Sequence, residues 1–389
     1  MSTPGRVPHI MLVAGEPSGD ALGGELMEAL QSIASGGLRI TGVGGPNMIG
    51  HGLTSVFPMS DTSVMGPREV IPRLPLILRR VRETAAFAVA EKPDVLVIID
   101  SPDFTHMVAK RVAKRAPGIK IANYVSPSVW AWRRGRARAM AKYVDRVLAL
   151  LPFEPDFFRA EAGLDCVYVG HPAIERIPAP GEGARFRAAR GIAPDQPILM
   201  LLPGSRTNEV KRLVAVFGET AALLAAEIPG LKFVVPTVPH VRHLVEEAVK
   251  SWRVPVELVE GEIEKRAAFA AATAALAASG TVTLELGLAG VPMVVAYKID
   301  AIAGWVVSGL LKVPSVVIVN LILDRPSVRE FLQYAAKPAA LASALRPLLH
   351  DTPDRARALA DLAELRTVMG VGGDRPSLRA ARAVLEMLP

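Results

Sequence analysis

Short apolar runs separated by segments of helical period recur along almost the whole chain, and no other feature narrows its folding options as much. His9–Ala14, Leu38–Val43, Val95–Ile99, Ile119–Tyr124, Val147–Leu151 and Cys166–Val169 read as strands. Between the first two, Leu22, Leu26 and Leu30 recur at spacing four, which marks one face of a helix. Strands alternating with helices build a parallel sheet covered by helices on both faces. The pattern breaks at Ile177-Pro178-Ala179-Pro180-Gly181-Glu182-Gly183, where Pro and Gly dominate and a linker is expected. It then restarts. Pro197–Leu202, Lys232–Pro236, Val256–Leu258, Ala274–Ala277, Met293–Ala296 and Val316–Val319 read as strands, with helices at Arg206–Glu227 and Glu264–Ala272. The expected fold class is α/β: two Rossmann-like domains facing across a cleft, with a C-terminal helical segment. The expected boundaries are 1–177 for the first domain, 178–189 for the linker and 190–345 for the second domain. Residues 346–389 are expected as helices packing on or crossing between the domains. A chain of 389 residues is too long for one ordinary domain and comfortable for two.

At 50% hydrophobic and 21% charged residues the chain is globular rather than disordered. Its net charge of +7 favours anionic partners, either phosphorylated metabolites or anionic lipid. No zinc-finger spacing or aromatic-studded basic strand supports nucleic acid, so none is expected. The single cysteine, Cys166, forms no intramolecular disulfide and is expected to pack in a strand. The first residues show no charged region, long apolar region or cleavage site of a secretory signal. Ala301–Leu323 approaches spanning length but carries Lys312, Pro314 and Asn320, so a buried helix followed by a strand is expected there.

Ligands of open α/β sheets bind beyond the carboxyl ends of the strands. The polar loops after strands are therefore the candidate sites. Gly15-Glu16-Pro17-Ser18-Gly19-Asp20 follows the first strand. It is neither G-x-G-x-x-G nor a P-loop, and reads either as a turn capped by Ser18 or as a contact for a polar ligand through Glu16 and Ser18. Asp100 ends another strand. It either caps the next helix or serves as general base towards a sugar hydroxyl, with Asp103 as the alternative cap. In a chain with 5% aromatics, Tyr124-Val125-Ser126-Pro127-Ser128-Val129-Trp130-Ala131-Trp132-Arg133-Arg134 brings two tryptophans together beside that edge. Pro203-Gly204-Ser205-Arg206 opens a helix, with Ser205 read as the cap and Arg206 in the first turn. A cation there opposes the helix dipole unless a diphosphate compensates it. Ser279-Gly280-Thr281-Val282-Thr283-Leu284-Glu285 repeats the scheme, with Thr281 read as cap and Glu285 placed to accept from ribose hydroxyls.

No Asp-x-Asp is present, and His240 and His243 with Glu246 and Glu247 read as a solvated helix face. No metal and no cofactor are expected. The absence of G-x-S-x-G gives no support to a hydrolase. In Pro67–Val89, the apolar Val70, Ile71, Leu74, Ile77 and Leu78 alternate with Arg73, Arg79 and Arg80. Such a helix either faces a core or lies on an anionic membrane surface, and the arginine excess favours the membrane.

Several of these segments, taken together, resemble one family, the bacterial lipid-A-disaccharide synthases. They are Ala14–Asp20, Gly44-Gly45-Pro46, Val64-Met65-Gly66, Ile99–Phe104, Tyr124–Arg133, Leu151-Pro152-Phe153-Glu154, Gly170-His171-Pro172, Pro203–Arg206, Ser279–Glu285, Pro292–Tyr297 and Asn320. The Ser126–Trp132 run is the most specific of them. The resemblance implies a GT-B fold and an inverting, metal-independent glycosyl transfer. UDP-2,3-diacylglucosamine would donate to 2,3-diacylglucosamine 1-phosphate (lipid X), giving a β-1,6 disaccharide 1-phosphate and UDP. It implies Asp100 as catalytic base and Arg206 as the cation on the departing diphosphate. It implies Ser279, Gly280, Thr281 and Glu285 as the UDP site with Asn320, Glu330 and Gln333 nearby. Glu16, Ser18, Ser126, Trp130 and Ser205 complete the substrate contacts. The family's Pro-Glu pair before Leu-Gln is altered here, where Arg329 replaces the proline in Val328-Arg329-Glu330-Phe331-Leu332-Gln333. The location implied is cytoplasmic, peripheral on the inner face of the inner membrane. The C-terminal helices permit exchange between two copies, so a homodimer is among the expectations. The competing readings are a UDP-sugar 2-epimerase, another GT-B transferase with a soluble acceptor, and a sugar-binding protein of periplasmic type.

Overall fold

The computed structural model describes residues 6–34, 36–63, 67–132, 134–298 and 314–389. Val64-Met65-Gly66, Arg133 and residues 301–313 of the apolar stretch lie outside the described residues, as does the side chain of Val70. Backbone packing divides the chain into two units. One comprises Met1–Pro172 together with Gly372–Pro389, and the other Ala173–Val371.

The first unit holds six parallel strands: β1 (His9–Ala14), β2 (Arg39–Val43), β3 (Val95–Ile99), β4 (Lys120–Tyr124), β5 (Arg146–Ala149) and β6 (Asp165–Tyr168). Their spatial order is β2-β1-β3-β4-β5-β6. β1 and β3 are buried along their whole length, as expected of central strands covered on both faces. On one face, Met11, Val13, Leu96 and Ile98 pack with Val81, Ala85 and Val108. On the other, Ile10, Leu12, Val95 and Val97 pack with Leu26 and Leu30. Cys166 is buried in the first of these layers, and burial pushes its thiol pKa up, consistent with packing rather than reactivity.

The second unit holds β7 (Ile198–Leu202), β8 (Lys232–Thr237), β9 (Glu257–Glu260), β10 (Ala274–Ala278), β11 (Met293–Tyr297) and β12 (Arg329–Leu332). Their order is β12-β11-β10-β7-β8-β9, again all parallel. β10 is built from four alanines and one leucine, all buried, so helices approach this part of the sheet closely.

Two local expectations change. Val316–Val319 is not a strand: helix Ile318–Leu323 takes up its second half, and β12 at Arg329–Leu332 completes the sheet instead. Within the expected linker 178–189, residues Glu182–Ala189 form a helix of the second unit. Gly183 there serves close packing, since a Cβ would lie 2.3 Å from the Ala270 carbonyl oxygen. The C-terminal helices divide between the units. Pro353–Val368 belongs to the second unit, whereas Pro376–Leu385 belongs to the first and buries Ala380, Ala381, Ala383 and Val384 beside Ile10 and Leu30. No helix among the described residues is long and apolar enough to cross a membrane.

Candidate active site

β1 pairs with β2 on one side and β3 on the other, so the loops leaving β1 and β3 turn to opposite faces and open a crevice at the sheet edge. Both loops carry predicted residues. Glu16, in extended backbone, is the N-cap of helix Pro17–Ile33, so Ser18 is not the cap but sits inside the first turn. The Ser18 hydroxyl instead donates to Asp100 Oδ2 at 2.7 Å. The Ser101 hydroxyl donates back to Glu16 Oε1 at 3.0 Å. Two crossed hydrogen bonds thus tie the β1 loop to the β3 loop. Gly19 makes the approach possible, because a Cβ would stand 2.9 Å from the Ile99 carbonyl oxygen.

Helix Pro102–Arg115 has Ser101 as N-cap and no side chain capping it, so neither Asp100 nor Asp103 plays that role. Asp100 and Ser101 adopt φ of 50° and 44°, and Val125 at the end of β4 adopts 73°. Left-handed backbone costs a non-glycine residue roughly 1–3 kcal/mol, and such strain gathers at functional sites. Burial raises the Glu16 pKa. The Ser101 hydrogen bond opposes the rise, and Asp100 and Asp103 add to it. Asp20, fully buried, accepts from the backbone N–H groups of Gly45, Asn47 and Met48 and so pins the Gly44-Gly45-Pro46 loop.

The aromatic run after β4 is organised by a residue whose importance its motif did not reveal. Glu154, 2% exposed, accepts from the Trp130 indole N–H at 3.1 Å and from the Leu151 backbone N–H at 2.9 Å. Burial pushes its pKa up to about 7 against these bonds and one from Ser126. The Trp130 indole therefore turns its N–H to Glu154 rather than to an open ligand site, and the Ser126 hydroxyl donates to the Pro127 carbonyl at 3.0 Å. The Trp130 ring stands edge-on to Phe153 at 5.1 Å. An acidic residue opening a helix reads from sequence as ordinary dipole compensation, which hides this role.

In the second unit β7 lies between β8 and β10, and again the predicted motifs follow the two diverging strands. Gly204 has φ of 123°, and a Cβ there would come within 2.6 Å of Glu209. Glu209 Oε2 accepts from the backbone N–H groups of Ser205 and Arg206, at 3.2 and 3.3 Å. Arg206 is itself the N-cap of helix Thr207–Glu227, so Ser205 is not the cap and Arg206 is not in the first turn. Its guanidinium meets Glu209 Oε1 at 3.0 Å while its side chain stays 79% exposed. The His240 ring N–H donates to the Ser205 carbonyl at 2.7 Å, fixing the loop from another side.

After β10, Gly280 rather than Thr281 is the N-cap of helix Thr281–Leu288, and Thr281 is exposed. Glu285, one turn on, meets Lys265 Nζ at 3.0 Å, and Lys265 also meets Glu262. The other predicted donor contacts serve the protein. The Ser279 hydroxyl donates to the Val316 carbonyl at 2.7 Å, and Glu330 accepts from the Val316 N–H at 3.1 Å. Asn320, 5% exposed, donates to the Val328 carbonyl and to Ser315 Oγ, and accepts from the Val328 N–H at 2.8 Å. Its carboxamide is committed to bracing the segment before β12. Gln333 follows β12 with φ of 51°. Arg329, the departure from the family pattern, begins that edge strand opposite Val294.

Helix Pro67–Glu91 divides its predicted membrane residues. Ile77 is buried with Val81 and Ala85, so it faces the core. Arg80 is held by Asp61 at 2.6 Å and Glu83 at 2.6 Å and stacks on Phe57 at 4.7 Å, so it is not available to headgroups. Leu78 is half-buried. Ile71, Arg73, Leu74 and Arg79 remain exposed, Ile71 at 70% and Leu74 at 45%.

A family model described as lipid-A-disaccharide synthetase matches residues 10–369. A lipid-A-disaccharide synthase of Rhodopseudomonas palustris (strain HaA2) is 49% identical, covering 100% of this chain and 98% of the relative. One of Nitrobacter hamburgensis is 50% identical over 98% of this chain and 96% of the relative. Among solved structures, UDP-GlcNAc 2-epimerase from Neisseria meningitidis bound to UDP-GlcNAc superposes with a TM-score of 0.64 at 12% identity, covering 98% of this chain and 99% of that one. The calicheamicin glycosyltransferase superposes with a TM-score of 0.57 at 17% identity, covering 98% of each. At such identities the structural likeness shows the fold alone, that of GT-B glycosyltransferases with two Rossmann-like domains.

Proposed function

The chain belongs to the lipid-A-disaccharide synthase family and is a glycosyltransferase of lipid A biosynthesis; from that premise we propose how its residues divide the reaction. The donor is UDP-2,3-diacylglucosamine and the acceptor is lipid X. The acceptor 6-hydroxyl lies at the β1/β3 crevice, with Asp100 as general base. Its oxygen attacks the donor C1 with inversion. The C1–O6 bond forms, the C1–O bond to UDP breaks, the proton passes to the Asp100 carboxylate, and UDP leaves with the bonding pair. The observation that carries this is the Ser18–Asp100 hydrogen bond of 2.7 Å, which orients a carboxylate engaged in no capping at a strained strand end.

The second unit takes the UDP moiety. Two helices begin there, at Thr207 and Thr281, and their free N–H groups suit a diphosphate. Arg206, exposed at the start of the first of these helices, supplies a cation for the charge that develops on the leaving group. Glu285, steadied by Lys265, accepts from the ribose hydroxyls.

The protein works at the cytoplasmic face of the inner membrane, adsorbed through Ile71 and Leu74 with Arg73 and Arg79 on anionic headgroups. Burying each apolar side chain stabilises the contact by roughly 1.5–3 kcal/mol, enough for reversible attachment. Sedimentation with liposomes should show binding that rises with acidic lipid and weakens in Ile71→Ser/Leu74→Ser. Equal, negligible sedimentation by the wild type would sink the membrane role.

The reaction is tested with UDP-2,3-diacylglucosamine and lipid X in mixed micelles containing EDTA. Disaccharide 1-phosphate and UDP should appear in equal amounts. No product from protein that still binds UDP would move the assignment to another acceptor or to an epimerase.

A further inference from the structure

Beside the Asp100 loop, helix Pro102–Arg115 lines a cavity of about 300 Å³ that the assignments above leave without an occupant. Asp103, His106 and Lys110 fall on one face of that helix, at spacings of three and four. Arg136 and Tyr143 close the other side, and Pro127 of the aromatic run contributes an edge. Lys110 lies over the Tyr143 ring at 5.3 Å. Neither Lys110 nor Arg136 pairs with a carboxylate among the described residues. Two cations thus line one cavity without an ion pair, and Asp103 is the carboxylate at its far end.

His106, 8% exposed, shares a 3.0 Å hydrogen bond between Nδ1 and the Tyr143 hydroxyl. Burial, then Lys110 and Arg136, push its pKa down to about 4, and burial pushes that of Tyr143 up to about 12. Both rings are therefore neutral at pH 7. If the phenol donates, the imidazole proton sits on Nε2; if Nδ1 donates, the phenol proton is left for another acceptor; either way one neutral donor has no protein partner among the described residues. One neutral donor of the His106–Tyr143 pair and two cations around one space form an anion site.

The polarity of the cavity also has a direction. From Asp103 to Lys110 is about 10 Å along the helix axis. The acidic end adjoins Ser101 and Asp100, and the basic end lies two turns away. A ligand with a hydroxyl at one end and a phosphate at the other fits that gradient. We propose that the cavity formed by His106, Lys110 and Arg136 holds the phosphate monoester of the acceptor while its hydroxyl reaches Asp100. This rests on the acceptor reading given above and extends it to a residue set that no motif marked.

The test compares lipid X with the same diacyl sugar carrying a methyl group in place of the phosphate, in phosphate-free micelles. The full-length chain is assayed as wild type, as Lys110→Arg, and as Lys110→Met/Arg136→Gln, where Met keeps an apolar stem on the Tyr143 ring. Wild type should prefer the phosphorylated acceptor by roughly 10-fold or more in KM, the scale of hydrogen bonds to charged groups. The double variant should lose that preference, and Lys110→Arg should retain most of it. A double variant that keeps the preference, or loses both acceptors equally, overturns the inference. So does one that keeps the preference but no longer adsorbs to phosphatidylglycerol vesicles, which would assign the cations to a bilayer headgroup. A wild type active on both acceptors without preference overturns this inference alone. A wild type that forms disaccharide from neither overturns the acceptor reading itself.

Discussion

The two units repeat one scheme, a parallel sheet in which the two neighbouring strands where the order reverses, β1 and β3 in one and β7 and β10 in the other, send their loops to opposite faces, yet they furnish the resulting crevices differently. In the first, side chains bond to each other across the gap, Ser18 to Asp100 and Ser101 to Glu16, and carboxylates gather. In the second, Ser279, Asn320 and Glu330 are consumed in bracing the backbone at Ser315–Val316 and Val328. Helix N-termini and one exposed arginine are left facing outward. A carboxylate-rich crevice suits taking a proton. A crevice made of N–H groups suits receiving a negative charge. In the proposed reaction the same topology serves the two ends of one transfer, and the difference lies in which polar atoms the fold has already used.

The comparison is most exposed at Asp100. Asp100→Asn should cut turnover by about 10²–10⁴, the usual range for a general base, with little change in UDP affinity. A loss below threefold would remove the first crevice from the chemistry. Next in size is a stability effect. Asn320→Ala leaves the Val328 N–H and C=O buried without partners and should lower unfolding free energy by about 2–4 kcal/mol in urea titration. Unchanged stability with lost donor binding would show that the second crevice uses its side chains as the first does. Arg206→Ala should weaken donor use by roughly 1.5–3 kcal/mol in kcat/KM while leaving stability intact. Unaltered donor kinetics would leave the helix N-termini alone to meet the diphosphate.

The smallest expected effect is a slope. Glu154 has its pKa raised from 4.5 to about 7. A raised pKa means that the folded state holds the proton more tightly. The stability this lends is complete below about pH 4.5 and is lost as pH rises through about 7. Wild type should therefore lose roughly 1–3 kcal/mol across that window from this group, and Glu154→Gln should flatten the decline. An identical slope in both would place the pH dependence elsewhere.

Much of this architecture can be read from residues alone. Buried parallel strands announce themselves as continuous apolar runs, and the loops that matter contain glycines where backbones nearly touch, as Gly19 and Gly204 do. What escaped reading was decided by distant partners. Val316–Val319 has the β-branched composition of a strand, but the Val316 N–H and C=O are claimed by Glu330 and Ser279 side chains, so no ladder forms there. Gly183 looks like linker flexibility until Ala270 is set against it. Asn320 matches a family motif, and only the partners of its carboxamide show that it acts as a brace. Glu209, three residues after Arg206, had a readable signal, the spacing of a capping carboxylate.

The helix Pro376–Leu385 has a consequence for how this molecule is made. It fills a face of the first sheet, yet about two hundred residues of the second unit are translated between that sheet and it. During synthesis the second unit is complete before the first can close. Until the last helix leaves the ribosome, Ile10, Leu12, Leu26 and Leu30 lack part of their cover, and a nascent chain stalled before residue 376 exposes an apolar face of the kind that holdase chaperones bind.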